Sequence, residues 1–215
     1  MSPHKHPLSN HTVVIVKSRY LLEILYRFTK GDAFMSKTFE TLQKEIIFES
    51  KKGYPILLSG SIVFLIYTLM YFIFPIEAVH LIWIFGLSVI FPIGILISKI
   101  VGVNLLSNAN PLGTLGGIVA APQAFYIPVF IIVYMNIPEY IPFTIGLLAG
   151  AHFLPYMWIY KSKAYLFVTL GTCFSALILG GFFVDHAFTL VPLAISIVYG
   201  FGVLLILREL KVTFV

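Results

Sequence analysis

An ionisable side chain inside a long apolar run is a functional candidate by default, because hydrocarbon does not solvate it. In this sequence the deep case is His152, in Gly150-Ala151-His152-Phe153-Leu154-Pro155-Tyr156. Imidazole titrates near neutrality, so a histidine here can contact a ligand, transfer a proton or respond to pH. Gln123, beside Pro122, falls at a comparable depth in a second run. Tyr126 and Tyr156 are within reach of the same level, so His152, Gln123, Tyr126 and Tyr156 make up the candidate binding pocket at the membrane midplane. The structural alternative is a neutral imidazole bonded to Gln123 or to a carbonyl freed by Pro155. One histidine and one amide form neither a metal site nor a proton relay, which favours that alternative.

Other chemistry is sparse. His80 near Glu77, and Asp185 next to His186, lie at the ends of apolar runs, where polar residues are usually solvated; no metal is assigned to them. The sequence carries no phosphate-binding glycine loop with its lysine, no HExxH, no GxSxG and no pair of carboxylates inside an apolar run. The single cysteine, Cys173, has no disulfide partner. No catalytic residue, no metal and no cofactor is therefore assigned, and an enzyme is the least favoured class.

The elements that would position His152 are membrane spans. The chain of 215 residues is 59% hydrophobic and 11% charged, with a mean hydropathy of +0.97. An ordinary soluble domain carries roughly 25% charged residues. A spanning helix needs about 20 apolar residues, and six runs supply them: Pro55 to Phe74, His80 to Ser98, Pro111 to Met135, Ile141 to Tyr160, Tyr165 to Val184 and Phe188 to Leu207. The fold class is thus all-α integral membrane, a bundle of six transmembrane helices. Asn110 before Pro111 predicts a capped helix start. Pro92, Pro122, Pro128, Pro155 and Pro192 predict local breaks, since each removes an internal hydrogen bond.

Lys51, Lys52, Lys99, Lys161, Lys163, Arg208 and Lys211 flank these runs on one side, while the opposite loops hold Glu77, Glu139 and Asp185 and no Lys or Arg. The basic side is the cytoplasmic one, which puts both termini in the cytoplasm of a bacterial cell. The formal charge of +5 then reflects cytoplasmic loops beside anionic lipid rather than nucleic-acid binding. Phe39, Leu42 and Ile46 recur at helical spacing among charges, which predicts a short amphipathic helix at the inner membrane surface within residues 35–54. Residues 55–215 form the six-helix domain. Residues 1–34 are expected to be a non-native or disordered extension, with translation starting at Met35: Lys30 to Phe34 back-translates to a purine-rich stretch just upstream of that methionine.

Small residues recur four apart at Gly146 and Gly150, Gly171 and Ser175, Ala176 and Gly180, and Ser196 and Gly200. Such ridges serve close helix packing within a bundle or between copies in a homo-oligomer. Tyr71, Trp83, Tyr134, Tyr140, Trp158, Tyr160 and Tyr165 near helix ends read as an interfacial aromatic belt.

The stretch His152 to Tyr165, HFLPYMWIYKSKAY, with Asn110-Pro111-Leu112 upstream, resembles a family of small multi-pass bacterial membrane proteins of unknown function. The resemblance covers the chain from about Met35 onward. It implies the multi-pass architecture and a bacterial source, but supplies no substrate or catalytic residue. Two functions follow from the residues: a small-molecule transporter or channel-like protein with a polar midplane, or a non-catalytic membrane component that packs with a partner or senses the bilayer.

Overall fold

A computed structural model describes residues 38–105 and 110–213. The expected extension over residues 1–34 and the Met35 start lie outside the described residues. The chain divides into two units, 1–42 and 43–215; only residues 38–42 of the first are described.

All regular structure among the described residues is helical. Among the described residues, five stretches are long and apolar enough to cross a membrane: Thr38–Met70, Ile76–Ile100, Pro111–Asn136, Lys163–Phe182 and Val184–Val212. They mark a multi-pass membrane protein. Two of them are interrupted near Pro92 and Pro122, where the missing N–H groups leave carbonyls unpaired, whereas the chain stays helical through Pro128 and Pro192, where breaks were expected. We name α1 (residues 38–50), α2 (Tyr54–Met70), α3 (Ile76–Gly86), α4 (Ile90–Ile100), α5 (Pro111–Ala120), α6 (Tyr126–Asn136), α7 (Ile141–Ala151), α8 (Leu154–Ile159), α9 (Lys163–Ser175) and α10 (Ala187–Thr213). Short 3-10 turns, Leu87–Val89 ahead of Pro92 and Ala121–Phe125 around Pro122, join α3 to α4 and α5 to α6. The expected cap is formed, with the Leu112 N–H donating to Asn110 Oδ1 at 2.9 Å.

The run expected as a single span from Ile141 to Tyr160 is two helices. Pro155 has no N–H for the Ala151 carbonyl, and the chain turns at His152 and Phe153 between α7 and α8. Neither piece, of 11 and 6 residues, is long enough to span alone.

In unit 43–215 the core forms where α2 and α10 pack along each other, with α4 on α2 and α7 and α9 on α10. Two reciprocal hydrogen bonds lock α2 to α10: Ser61 Oγ donates to the Ser196 carbonyl and Ser196 Oγ to the Ser61 carbonyl, each at 2.8 Å. The small-residue ridges are consumed by packing within this chain. A Cβ at Gly146 would stand 2.8 Å from Ala176 Cβ, one at Gly150 2.8 Å from Cys173 Sγ, and one at Gly180 2.8 Å from the Phe143 backbone.

Between α1 and α2 the helical path is broken by three consecutive left-handed residues, Lys51 (φ 48°), Lys52 (φ 55°) and Gly53 (φ 68°). Gln43, Ile46, Ile47 and Ser50 are buried. Gln43 Nε2 donates to the Trp158 carbonyl at 2.7 Å, and the Asn104 N–H to the Glu49 carbonyl at 3.1 Å. Ile46, expected on a lipid-facing stripe, is covered by protein.

The aromatic belt also needs correction. Trp158 and Tyr71 are exposed, but Trp83 is 0% exposed and stacks on Tyr67 at 5.1 Å, and Tyr160 and Tyr165 are core residues. Tyr165 reaches a backbone partner inside the protein and so does not need the interface for its hydroxyl.

Candidate functional site

The α7–α8 break sets the position of His152. Its N–H reaches back to the Leu148 carbonyl at a long 3.4 Å, and the Phe153 N–H to the Gly150 carbonyl at 3.2 Å. The ring lies tilted on Phe153, 3.9 Å between centroids, and edge-on to Tyr156 at 6.5 Å. Nδ1 is buried without a hydrogen bond of ordinary geometry, although the Leu148 and Ala149 carbonyls one turn back lie beside the ring. Tyr156 Oη donates to the Gly116 carbonyl at 2.7 Å, which ties α8 to α5.

The structure therefore brings together two of the four predicted residues, His152 and Tyr156. Gln123 lies in the 3-10 turn after α5; its side chain is exposed and makes no hydrogen bond with His152. Tyr126 is half-buried and contacts Phe130 edge-on at 6.5 Å. Below His152 the space is filled by rings: Phe153 stacks on Tyr165 at 5.9 Å and meets Tyr199 edge-on at 5.3 Å, and Tyr160 stacks on both Tyr156 and Tyr165.

That ladder of rings leads to a charged cluster the sequence did not disclose. Lys52 Nζ donates to Glu209 Oε2 at 2.7 Å, with the lysine side chain 4% exposed and the glutamate 28%. Ser162 Oγ donates to the same oxygen at 2.6 Å, and the Ala164 N–H to Glu209 Oε1 at 3.1 Å. Tyr165 Oη donates to the Lys52 carbonyl at 2.6 Å. The left-handed turn aims Lys52 inward, and its Gly53 is required twice over. Its φ of +68° suits glycine, and a Cβ there would stand 3.2 Å from the Tyr165 hydroxyl. One signal was available, since Glu209 is an acid among basic neighbours in Arg208-Glu209-Leu210-Lys211. Its partner lies far away in sequence. Chemically the cluster is a clip: an ammonium, a hydroxyl and a backbone N–H converge on one carboxylate.

Among the described residues no group of three His, Cys, Asp or Glu could hold a metal ion. His80, expected at a solvated helix end, is buried instead, with its ring 5.0 Å from Phe188 and 5.6 Å from Tyr134. Helix α3 starts at Ile76, so His80 is already one turn inside it.

No curated protein and no solved structure matches this chain. A family model does match, over residues 39–209, from α1 through the Glu209 of the clip. The chain belongs to the DUF7010 family, a family of unknown function.

Proposed function

We propose that the protein is a six-pass, non-catalytic component of a bacterial cytoplasmic membrane that self-associates through the Pro111–Asn136 stretch. Gln123 carries this reading. It stands midway along that 26-residue stretch, exposed and without a hydrogen-bond partner among the described residues. An unpaired amide facing hydrocarbon is costly. A glutamine amide both donates and accepts, so two copies related by a two-fold axis satisfy each other. The stretch is also the least covered of the five: 6% of its apolar window is buried, against 44% for Val184–Val212. A Cβ at Gly117 would meet nothing within 4 Å, leaving that face open for close approach.

The sixth crossing in this reading is α7 with α8. Ile141 to Ile159 rises about 28 Å at about 1.5 Å per residue, close to a hydrocarbon core of about 30 Å. An even number of crossings returns both termini to the basic face. The clip supports this, because it joins Lys52 before α2, Ser162 before α9 and Glu209 near the end of α10 at one end of the helices. Lysine and arginine on that end argue for the cytoplasm.

The test is cross-linking in native membranes. In a Cys173→Ser background, Gln123→Cys should give a covalent dimer with a short bismaleimide, and Leu96→Cys, exposed on α4, should not. Gln123→Leu should weaken dimerisation roughly three- to ten-fold. Equal yields at the two positions, or none at Gln123, would reject the assembly.

One observation favours a second reading, a small-molecule transporter or channel-like protein acting at the midplane. The buried Nδ1 of His152 has no hydrogen bond of ordinary geometry, and a bound ligand would supply one.

A further inference from the structure

A groove of about 910 Å³ runs along the last turns of α10 beside the Lys51 turn. Phe201, Leu204 and Leu207 are among the residues forming its apolar wall, and Lys51, Arg208 and Lys211 stand at its head. Among the described residues no Asp or Glu lines it. We propose that this groove binds one anionic phospholipid, with the phosphate held by Lys51, Arg208 and Lys211 and an acyl chain laid along Phe201, Leu204 and Leu207.

Three features carry the assignment. The first is the order of chemistry along one helix. From Phe201 through Leu204 to Arg208 and Lys211 the steps are three or four residues, so these side chains share a face. Phe201 lies about 10 Å below Arg208 at about 1.5 Å per residue. Apolar wall and cationic head thus follow each other along α10 as acyl chain and phosphate do in a lipid.

The second is the disposal of the neighbouring negative charge. Glu209 lies between Arg208 and Lys211 in sequence and would cancel part of their field. Instead it is turned into the clip, held by Lys52, Ser162 and the Ala164 N–H. Arg208 and Lys211 are exposed and form no ion pair among the described residues. The pair of adjacent lysines is divided between the two tasks: Lys52 neutralises Glu209, and Lys51 faces the groove.

The third is the placement of Lys51. Its backbone is left-handed (φ 48°), a conformation that non-glycine residues seldom adopt. It sets the ammonium 4.2 Å from the Phe48 ring centroid, at the mouth of the groove. Phosphatidylcholine carries its own cation outside the phosphate and gains less from such a head site than a lipid of net negative charge.

Native mass spectrometry of the full-length protein in detergent tests this, with phosphatidylglycerol titrated against phosphatidylcholine of the same acyl chains. The expected result is one tightly held phosphatidylglycerol per chain. In Arg208→Gln/Lys211→Gln the preference for it should fall roughly thirty-fold, at about 1 kcal/mol per cation. Leu204→Trp fills the groove, leaves every charge in place and should also abolish the tight adduct. Lys99→Gln, an exposed cation at the end of α4 and outside the groove, should change nothing. Equal binding of the two lipids would overturn the site. So would an effect of Lys99→Gln as large as that of the double variant, which would mean surface charge alone. A normal adduct in Leu204→Trp would overturn it as well.

Discussion

Lys52 and Glu209 lie 157 residues apart in the sequence and 2.7 Å apart in the structure. Their contact closes α2 onto α10 at the basic end, and the carboxylate also holds the start of α9 through Ser162 and Ala164. A buried ammonium that loses its counter-ion is the expensive half of such a pair.

Glu209→Gln should therefore destabilise the protein by about 2 kcal/mol, less than for a fully buried pair because the glutamate keeps some solvent contact. Lys52→Met/Glu209→Leu should recover most of that loss. Unfolding of the purified protein in detergent measures both. If the double variant is no more stable than Glu209→Gln, the pair is not the clip described.

Gly180 and Gly117 make a contrasting pair. A Cβ at Gly180 would stand 2.8 Å from the Phe143 backbone, which cannot swing aside as a side chain does. Gly180→Ala should cost about 1–3 kcal/mol through forced separation of α7 from the π-helical segment Ala176–Phe182. Gly117→Ala, with open space around it, should leave the monomer unchanged or more stable by up to about 1 kcal/mol. Thermal midpoints of the two variants in detergent check the ordering.

His152→Leu separates the two functional readings. Replacing a buried polar atom that lacks a good hydrogen bond by an apolar group of similar size costs little, so stability should stay within about 1 kcal/mol of the parent. A normally folded variant that has lost its cellular phenotype would place ligand chemistry at His152. A normal fold with a normal phenotype would remove the midplane from consideration.

Topology is checked with reporters. A reporter fused after Val215 should be cytoplasmic, and one inserted between Asn136 and Tyr140 should be external. An external C-terminus would show that α7 and α8 do not complete a crossing together.

Five of the six expected spans were legible because a run of apolar residues is a local property. So was the start of α5, where Asn110 and Pro111 act on their immediate neighbours, and so was the cause of the α7–α8 break at Pro155. Rotation was not legible. In helices that are apolar on every side no stripe announces the inner face, so Trp83, Tyr160 and Tyr165 read as a belt and turned out to be core. Position in a run indicates depth but not direction, and Gln123 and His152 make no hydrogen bond with each other. The clip escaped for a different reason. Lys52 was read as one topogenic charge among several, and nothing near it in the sequence names Glu209.

The packing of α2 on α10 sets a timetable for biogenesis. At roughly 5–20 residues per second, the 157 residues between Lys52 and Glu209 take roughly 8 to 30 s to make. For most of that interval α2 is without its principal neighbour, and Ser61 waits for Ser196. Until the last helix arrives, the nascent chain presents an unmatched serine and a lysine with no anion.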